Sequence, residues 1–321
     1  MEALQQFGIN LIQSMQTMSP ALDGVMNFFT FLGRVEFYLI LIPFIYWAID
    51  KRIGIRALLI LIVIDGVGDV FKLLFHQPRP YWVGNVKQLT EETTYGIPST
   101  HSSDSLAVGG FLAYQVKKTW FWVFTILIIF FIAYSRMYLA AHFPQDVVFG
   151  WLLGLIVLWS FLKWDNGVSA WVKSKSLASQ IAVGFGLSLV FIVAGLLSHA
   201  IIAGTPDTAP WAGLATQARS ITQFFTLAGA FFGATAGYSL MRQYARFQST
   251  GDWLKRGLRY LLGIIGLLAL YIGLDVLFAM LAPDDSVLGY ALRYIRYATV
   301  TFWVTFVAPW VFLKFRLAEA D

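Results

Sequence analysis

Long apolar stretches alternate with short polar connections along most of this chain. Stretches of about 17 residues or more can cross the hydrocarbon core of a bilayer as helices. Because a helix satisfies its own backbone hydrogen bonds in lipid, we predict an all-α integral membrane protein, a polytopic helical bundle of about nine spans. We place these spans near residues 35–50, 57–75, 101–116, 119–135, 146–163, 178–203, 220–241, 257–281 and 296–313.

The first 34 residues have a more mixed pattern, with apolar positions at helical spacing. This pattern indicates an interfacial helix at 1–34, before the first span. No basic region followed by a short apolar core is evident there, so we expect the first span itself to direct membrane insertion. Further along, the glycine-rich stretch 228–237 favours close packing between helices.

Composition supports the membrane interpretation and narrows the function. Of 321 residues, 58% are hydrophobic and only 13% are charged, whereas soluble domains carry about 25% charged residues. The net charge of +5 does not indicate a nucleic-acid partner, because the basic residues lie in short loops between the spans and are better explained as topology signals. The absence of cysteine excludes disulfides and thiolate metal sites.

The basic residues are unevenly divided between the two sides that nine spans define. One side carries Lys51, Arg52, Arg56, Lys117, Lys118, Lys163, Lys173, Lys175, Arg242, Arg246, Lys255, Arg256, Lys314 and Arg316. The other side carries Arg34, Arg79, Lys87, Arg136, Arg219, Arg293 and Arg296. Cytoplasmic loops are the richer in Lys and Arg. We therefore predict a non-cytoplasmic N-terminus, a cytoplasmic C-terminus, and non-cytoplasmic loops at 76–100 and 135–146.

The polar stretch 135–146 lies between two strongly apolar spans and contains Arg136, His142 and Asp146. His142 and Asp146 are four residues apart, a spacing at which a carboxylate can hold an imidazole in one tautomer. Arg136 offers a planar set of donors suited to phosphate oxygens. A short loop with chance polar residues is the alternative interpretation.

Two further segments place polar residues on the same side. Lys72 lies in an apolar helix, where a cation indicates a polar cavity or an anionic partner, unless it pairs with Asp69 or extends to the interface. Arg79 follows it in the next loop. Ser99 precedes a predicted helix whose first N–H groups attract anions, although serine is also a common N-cap. His101 lies in the first turn of that helix.

Topology therefore brings three cations, two histidines, one serine and one carboxylate to a common outer pocket. No acidic pair or histidine cluster in the sequence demands a metal. The chemistry that such a pocket favours is metal-free phosphoryl transfer, in which positioning and charge neutralisation dominate.

The three segments together resemble the signature motifs of the type 2 phosphatidic acid phosphatase superfamily. The matching patterns are Lys-x6-Arg-Pro, Pro-Ser-x-His and Ser-Arg-x5-His-x3-Asp, in that order, with ten fixed residues across 72–146. The superfamily includes glucose-6-phosphatases, sphingosine-1-phosphate phosphatases, polyprenyl pyrophosphate phosphatases and soluble vanadium haloperoxidases. The layout is closest to the first two branches. Thr100 replaces the commonest glycine, as in the sphingosine-1-phosphate phosphatase branch, and Asp146 stands where glucose-6-phosphatases have an amide, which leans toward the lipid phosphatases.

The resemblance implies a role for each motif residue. His142 would be the nucleophile that forms a phosphohistidine, and Asp146 would orient it. His101 would protonate the leaving oxygen and later activate water. The phosphate oxygens would be bound by Lys72, Arg79, Ser99 and Arg136, with backbone N–H groups around Thr100.

Five other residues near the motifs allow two interpretations each. Asp104, one turn into the third span, either holds a catalytic imidazole or is a first-turn acid stabilised by the helix dipole. Tyr81 and Trp82 either anchor the protein at the interface or form a wall for a substrate chain. Glu91 and Glu92 are most simply solvated, although a lid over the pocket would also need such a loop.

We therefore predict three segments, with an interfacial helix at 1–34, a catalytic membrane core at 35–165 built on the six-span core of the simplest relatives, and additional transmembrane helices at 166–321. The expected function is hydrolysis of the phosphomonoester of a lipid phosphate (phosphatidate, sphingoid-base phosphate or polyprenyl phosphate) on the non-cytoplasmic side, without a metal or other cofactor. The expected partners are this substrate and membrane lipids. The alternatives are a phosphatase of a soluble sugar phosphate such as glucose 6-phosphate, transfer of the phosphoryl group to a second lipid, and a non-hydrolytic anion transporter or binder.

Overall fold

The computed structural model describes residues 2–207 and 211–321, and within these residues the regular structure is helical. The helices in chain order are α1 (Glu2–Met15), α2 (Asp23–Phe31), α3 (Val35–Phe44), α4 (Lys51–Phe75), α5 (Pro80–Val83), α6 (Thr100–Val116), α7 (Thr119–Tyr138), α8 (Pro144–Lys173), α9 (Leu177–Ile202), α10 (Thr222–Tyr244), α11 (Trp253–Ala279), α12 (Val287–Phe302) and α13 (Ala308–Lys314). Helix α3 continues into a π-helical turn at Ile45–Ile49, and a second π-helical turn at Trp303–Val307 joins α12 to α13.

Helix is present at all nine predicted span positions, and the prediction of an all-α, multi-span membrane protein is confirmed. Length and composition alone identify fewer than nine candidate spans. Among the described residues, six helices are long and apolar enough to cross a membrane, and a seventh candidate results if the pair formed by Asp23–Phe31 and Val35–Ile49, bent by 51°, counts as one. The two remaining predicted spans are α4, which carries several charged residues, and α6, which has only 17 residues and a polar first half. Both helices contain motif residues, and the polar side chains in each helix lower its mean hydropathy.

The chain divides into two compact units. Unit 1 comprises Met1–Tyr38, Val63–Ser160 and Leu196–Ser220, and unit 2 comprises Leu39–Ile62, Phe161–Gly195 and Ile221–Asp321. Every candidate site residue lies in unit 1.

Unit 1 packs its N-terminal helices against the motif segments. Helix α2 packs on α7, where the rings of Phe29 and Phe131 stack with centroids 4.8 Å apart. Helix α8 approaches the start of α6 at Gly150, where a Cβ atom would lie only 2.5 Å from the carbonyl oxygen of Ser99. Glycine at this position therefore allows the two motif helices to pack at short distance.

Unit 2 is built around the close pairing of α10 with α12. A Cβ atom on Gly229 would lie 2.2 Å from the carbonyl oxygen of Tyr294, and one on Gly233 would lie 2.0 Å from that of Ala298. The prediction that stretch 228–237 serves close helix packing is thus confirmed. A separate aromatic contact, between Trp47 and Phe312 with centroids 5.7 Å apart, fills the core of this unit.

Candidate active site

A sharp turn between α7 and α8 shapes the loop that carries the third motif. Ala140 has a positive φ of 59°, and the carbonyl oxygen of Arg136 accepts hydrogen bonds from the N–H groups of Ala141 (3.0 Å) and His142 (3.2 Å). Pro144 then begins α8, a position at which proline loses no helical hydrogen bond. The loop is thereby folded back on the end of α7.

His142 and Asp146 meet in this loop, and both side chains are buried. The Oδ2 atom of Asp146 lies 3.4 Å from Nδ1 of His142 and also accepts the N–H of Phe143 at 2.9 Å. Burial, followed by the charges of Arg79 and Arg136, lowers the pKa of His142 well below 6.5. The imidazole is therefore neutral at physiological pH and keeps a lone pair on one ring nitrogen.

Lys72 is directed toward the loop before α6. Its Nζ atom donates to Thr94 Oγ1 at 2.9 Å and lies 3.4 Å from the carbonyl oxygen of Tyr95. The side chain is buried. The ammonium group thus bonds to the loop rather than to Asp69, and it does not extend to the interface.

Arg79 joins the loop before α6 to the loop between α7 and α8 and is fully buried. Its guanidinium donates to the carbonyl oxygen of Thr94 (2.6 Å), the hydroxyl of Thr94 (2.9 Å) and the carbonyl oxygen of Tyr95 (3.1 Å). Its Nη1 atom donates to the carbonyl oxygen of Ala141 at 2.9 Å and lies 3.3 Å from Nε2 of His142. A cation is therefore placed directly beside the ring nitrogen that faces away from Asp146.

Arg136, also fully buried, donates to the hydroxyl of Thr30 at 2.6 Å and to the carboxylate of Glu92. The second carboxylate oxygen of Glu92 lies 3.9 Å from Nη2 of Arg79. Burial alone would raise the pKa of Glu92, but the charges of Arg136 and Arg79 outweigh it, so this pKa lies well below its ordinary value of 4.5. Glu92 is therefore an anion held between two motif arginines.

Ser99 precedes α6 and contacts the third motif through its backbone. Its N–H donates to the carbonyl oxygen of Asp146 at 3.0 Å, and its hydroxyl accepts from that of Ser102 at 3.0 Å. The Ser99 side chain makes no capping hydrogen bond to the helix, so the alternative of a plain N-cap does not describe it. The next residue, Thr100, directs its methyl group toward α4, where it lies 3.1 Å from the position of a Cβ atom on Gly68.

His101 follows in the first turn of α6. Its Nε2 atom is buried and has no hydrogen-bond partner within the part of the chain that the structure describes. The ring packs against Gly33, where a Cβ atom would lie 2.8 Å from Cδ2 of His101. The structure thus leaves one imidazole nitrogen available and fixes the ring through a glycine contact.

The other candidate residues around the motifs support the loops. Asp104 accepts a hydrogen bond from the hydroxyl of Ser103 at 3.1 Å. The hydroxyl of Tyr81 donates to the carbonyl oxygen of Glu92 at 3.0 Å and accepts its N–H at 3.1 Å. The ring of Trp82 is buried and stacks on Trp211, with centroids 5.7 Å apart.

Sequence reasoning missed several residues of this site. The interpretation of Glu92 as solvated is wrong, since its side chain is 22% exposed and forms an ion pair with Arg136. Thr30 and Gly33, which contact Arg136 and His101, carried no local signal. Their partners lie far along the chain, 106 residues away in the case of Thr30, so only folding reveals the contacts.

Among residues 2–207 and 211–321, no group of three or more His, Cys, Asp or Glu side chains could hold a metal ion. What the site does contain is two imidazoles, three cations and one carboxylate beside His142. A neutral imidazole next to cations can attack an electrophilic phosphorus atom, and a second imidazole with an available nitrogen can donate or accept a proton.

Comparisons with known proteins match the chain to a family of phosphatases. Residues 54–169 match the family model described as PAP2 superfamily, and residues 225–320 match that described as PAP2 superfamily phosphatase, transmembrane extension. The chain is 29% identical over 163 residues to undecaprenyl-diphosphatase of Sulfolobus acidocaldarius, an alignment that covers 50% of this chain and 75% of that one. It is 24% identical over 202 residues to lipid phosphate phosphatase delta of Arabidopsis thaliana, with 57% of this chain and 48% of that one covered.

A third relative is the glucose-6-phosphatase catalytic subunit 1 of Rattus norvegicus, which is 29% identical over 231 residues, with 61% of this chain and 63% of that one covered. The chain thus spans between 48% and 75% of the length of these three relatives. Among solved structures, a phosphatidylglycerolphosphate phosphatase from Bacillus subtilis matches with a TM-score of 0.45 and 24% identity, covering 52% of this chain and 89% of that one.

Proposed function

The chain belongs to the PAP2 superfamily of phosphatases, and we propose that it is a membrane phosphatase that hydrolyses a lipid phosphate monoester through a phosphohistidine. The proposal rests above all on the buried His142, whose Nδ1 lies 3.4 Å from Oδ2 of Asp146 and whose Nε2 lies 3.3 Å from Nη1 of Arg79. This arrangement suits a nucleophile that attacks a bound phosphate.

In the first step of the proposed reaction, the phosphate oxygens bind to Lys72, Arg79 and Arg136 and to the first N–H groups of α6. These groups neutralise the charge that spreads over the equatorial oxygens in the transition state. Nε2 of His142 attacks phosphorus, and the bond from phosphorus to the ester oxygen breaks. His101 gives its proton to that leaving oxygen.

In the second step, His101 accepts a proton from water, the oxygen of that water attacks phosphorus, and the bond from phosphorus to His142 breaks. Inorganic phosphate and the neutral imidazole result. Asp146 has the same task in both steps, because the phosphorylated imidazole ring is cationic and its carboxylate balances that charge.

Two observations support a lipid substrate and a non-cytoplasmic site. Two of the three relatives are named for lipid substrates, undecaprenyl diphosphate and lipid phosphates. The excess of basic residues in the loops on the opposite side of the spans supports a site that faces away from the cytoplasm. The glucose-6-phosphatase relative, matched over the largest number of residues of the three, favours a soluble sugar phosphate as second candidate.

Phosphate release by the purified protein tests both candidates. We expect faster release from phosphatidate, sphingosine 1-phosphate or a polyprenyl phosphate than from glucose 6-phosphate. His142→Ala should lower kcat/KM by about 10³-fold or more, since a group that acts as nucleophile has no substitute. His199→Ala is the matched control, because this histidine lies outside the site and contacts only the carbonyl oxygen of Arg219, at 3.1 Å, among the contacts described.

Near-normal turnover by His142→Ala would contradict the mechanism, and preference for glucose 6-phosphate would favour the second candidate.

Vanadate, which adopts the five-coordinate geometry of phosphorus in the transition state, should inhibit phosphate release. Full inactivation by a chelator would contradict the metal-independent reaction. An acceptor lipid distinguishes transfer from hydrolysis, and binding of phosphate esters without release of phosphate would indicate a binder or transporter.

A further inference from the structure

Glu92 occupies an unusual place for a loop acid. Its carboxylate bonds to Arg136 and lies 3.9 Å from Arg79, the two arginines of the proposed phosphate site. No sequence motif includes Glu92, and its neighbour Glu91 is exposed on the same loop. The carboxylate therefore offers two oxygens and one negative charge to the donors that would otherwise bind a phosphate group.

The backbone of Glu92 is anchored independently of its side chain. The hydroxyl of Tyr81 bonds to both the carbonyl oxygen and the N–H of Glu92, while Arg79 holds the backbone of Thr94 two residues later at 2.6 Å. The side chain of Glu92, in contrast, is bound through the ion pair of its carboxylate with Arg136 and is 22% exposed. Rotation of this side chain toward solvent would remove the anionic partner of Arg136 and the negative charge beside Arg79, whereas the hydrogen bonds of Arg79 to the loop would remain.

A phosphate group and this carboxylate compete for the same cation. Arg136 donates through Nη1 to Thr30 and through Nη2 to Glu92, and its buried Nε has no partner among the described residues. A phosphate that binds Arg136 through Nε and Nη2 together would therefore compete with Glu92 for Nη2. Because Glu92 is tethered, it competes at a high effective concentration, on the order of millimolar or above. It lowers the apparent affinity for every anion that uses these arginines by the same factor.

On the basis of the function proposed above, we infer that Glu92 is an internal competitor that sets the affinity of the site for phosphate groups. In the free enzyme its carboxylate bonds to Arg136 and lies 3.9 Å from Arg79. It is displaced when the phosphate of the substrate enters, and it returns as inorganic phosphate leaves. The same exchange makes product release easier, which matters because release limits the turnover of many enzymes.

The test compares Glu92→Gln with Glu91→Gln, which makes the same chemical change at the exposed neighbouring position. An amide keeps the shape of the side chain and removes its charge. For Glu92→Gln we expect KM for the lipid phosphate, Ki for inorganic phosphate and Ki for orthovanadate to fall together, by about 5- to 10-fold, as expected when a charged hydrogen bond no longer competes. Glu91→Gln should leave all three values within about twofold of those of the wild-type protein.

A parallel fall in the three constants is the signature of a competitor. If Glu92 instead positions Arg136 for binding, the same substitution raises all three, and that result, or no change, would overturn the inference. Glu92→Asp is the second variant, since it keeps the charge on a shorter side chain. It should strengthen phosphate binding less than Glu92→Gln does, and an equal or larger gain would contradict the role of the charge.

The shift in Tm on addition of vanadate measures anion binding without turnover. It therefore tests the inference about Glu92 independently of the proposed function. A wild-type protein that releases no phosphate from any ester would contradict the proposed function. Unchanged vanadate affinity in Glu92→Gln, with a normal Tm in the absence of vanadate, would overturn the inference about Glu92 alone.

Discussion

Unit 1 contains the fully buried arginines Arg79 and Arg136, unit 2 contains Arg259, and Arg136 and Arg259 have very different partners. In unit 1, Arg136 bonds to side chains, the hydroxyl of Thr30 and the carboxylate of Glu92. In unit 2, Arg259 bonds to backbone, and its acceptors are the carbonyl oxygens of Gln248 (2.5 Å), Ser249 (2.9 Å) and Thr250 (3.1 Å).

The kind of partner distinguishes Arg136 from Arg259, while Arg79 has partners of both kinds, since it bonds to backbone carbonyl oxygens and lies 3.9 Å from Glu92. A backbone carbonyl cannot leave Arg259 without unfolding the loop before α11, so this guanidinium is committed to holding that loop. A carboxylate side chain can rotate away from Arg136 and leave a charged, desolvated donor for an incoming anion. Burial of an arginine by itself therefore does not indicate a binding site, whereas burial with an exchangeable anionic partner does.

The comparison predicts opposite consequences for the loss of each arginine, and this is the largest effect expected. Arg136→Ala should lower kcat for phosphate release by about 10²- to 10³-fold, because it removes a donor to the transition state. Arg259→Ala should leave kcat near normal and destabilise the protein by about 1–3 kcal/mol, because buried carbonyl oxygens lose their donor. Phosphate release and thermal unfolding of both purified variants check this. An inactive but fully stable Arg259→Ala protein would contradict the structural role of Arg259.

One glycine in each unit allows the same comparison between a loss of activity and a loss of stability, and the expected effects are smaller. A Cβ atom on Gly33 would lie 2.8 Å from Cδ2 of His101 in unit 1, and one on Gly263 would lie 2.4 Å from Cζ3 of Trp47 in unit 2. Gly33→Ala should displace the imidazole and lower kcat by about 10- to 100-fold. Gly263→Ala should overpack a core and cost about 1–3 kcal/mol of stability without a comparable loss of kcat.

The pH dependence of kcat provides the check on Gly33→Ala. If the substitution acts through His101, the pH profile of kcat changes together with its magnitude. A uniform loss at every pH with an unchanged profile would assign the effect to general misfolding of unit 1 instead.

The smallest expected effect concerns stability at acid pH. The pKa values of His142 and Glu92 are both lower in the folded protein than their ordinary values of 6.5 and 4.5. The unfolded chain therefore binds protons that the folded chain does not, first below pH 6.5 at His142 and then below pH 4.5 at Glu92. The stability that these groups contribute is present above those values and is lost as the pH falls through each window.

Thermal unfolding in detergent between pH 4 and pH 8 measures this loss. Each kcal/mol lost from the free energy of unfolding lowers Tm by about 2–4 °C. The wild-type protein should lose more Tm than His142→Ala does as the pH falls from 6.5 to 4.5, because only the wild-type protein carries this imidazole. An equal change in Tm in the two proteins would contradict the lowered pKa of His142.

The helical membrane class and the three motifs could be predicted from the sequence, because both depend on local patterns. Apolar stretches of helix length predict helices wherever lipid surrounds the chain, and helix is present at each predicted position. The prediction of nine spans exceeded the six or seven that length and apolarity support. The polar residues of α4 and α6 explain the difference, since in these helices motif chemistry outweighs hydrophobicity. The roles assigned to the motif residues remain predictions.

Periodicity and motif spacing are properties of neighbouring residues, so the sequence alone predicts the class of the protein and the residue types available for its chemistry. Which further residues surround the motifs depends on the fold. Thr30, Gly33 and Glu92 lie in no motif, and they matter because folding brings them against Arg136 and His101 from distant parts of the chain. The physical reason is that side-chain contacts and ion pairs depend on distance in space, which no local pattern encodes.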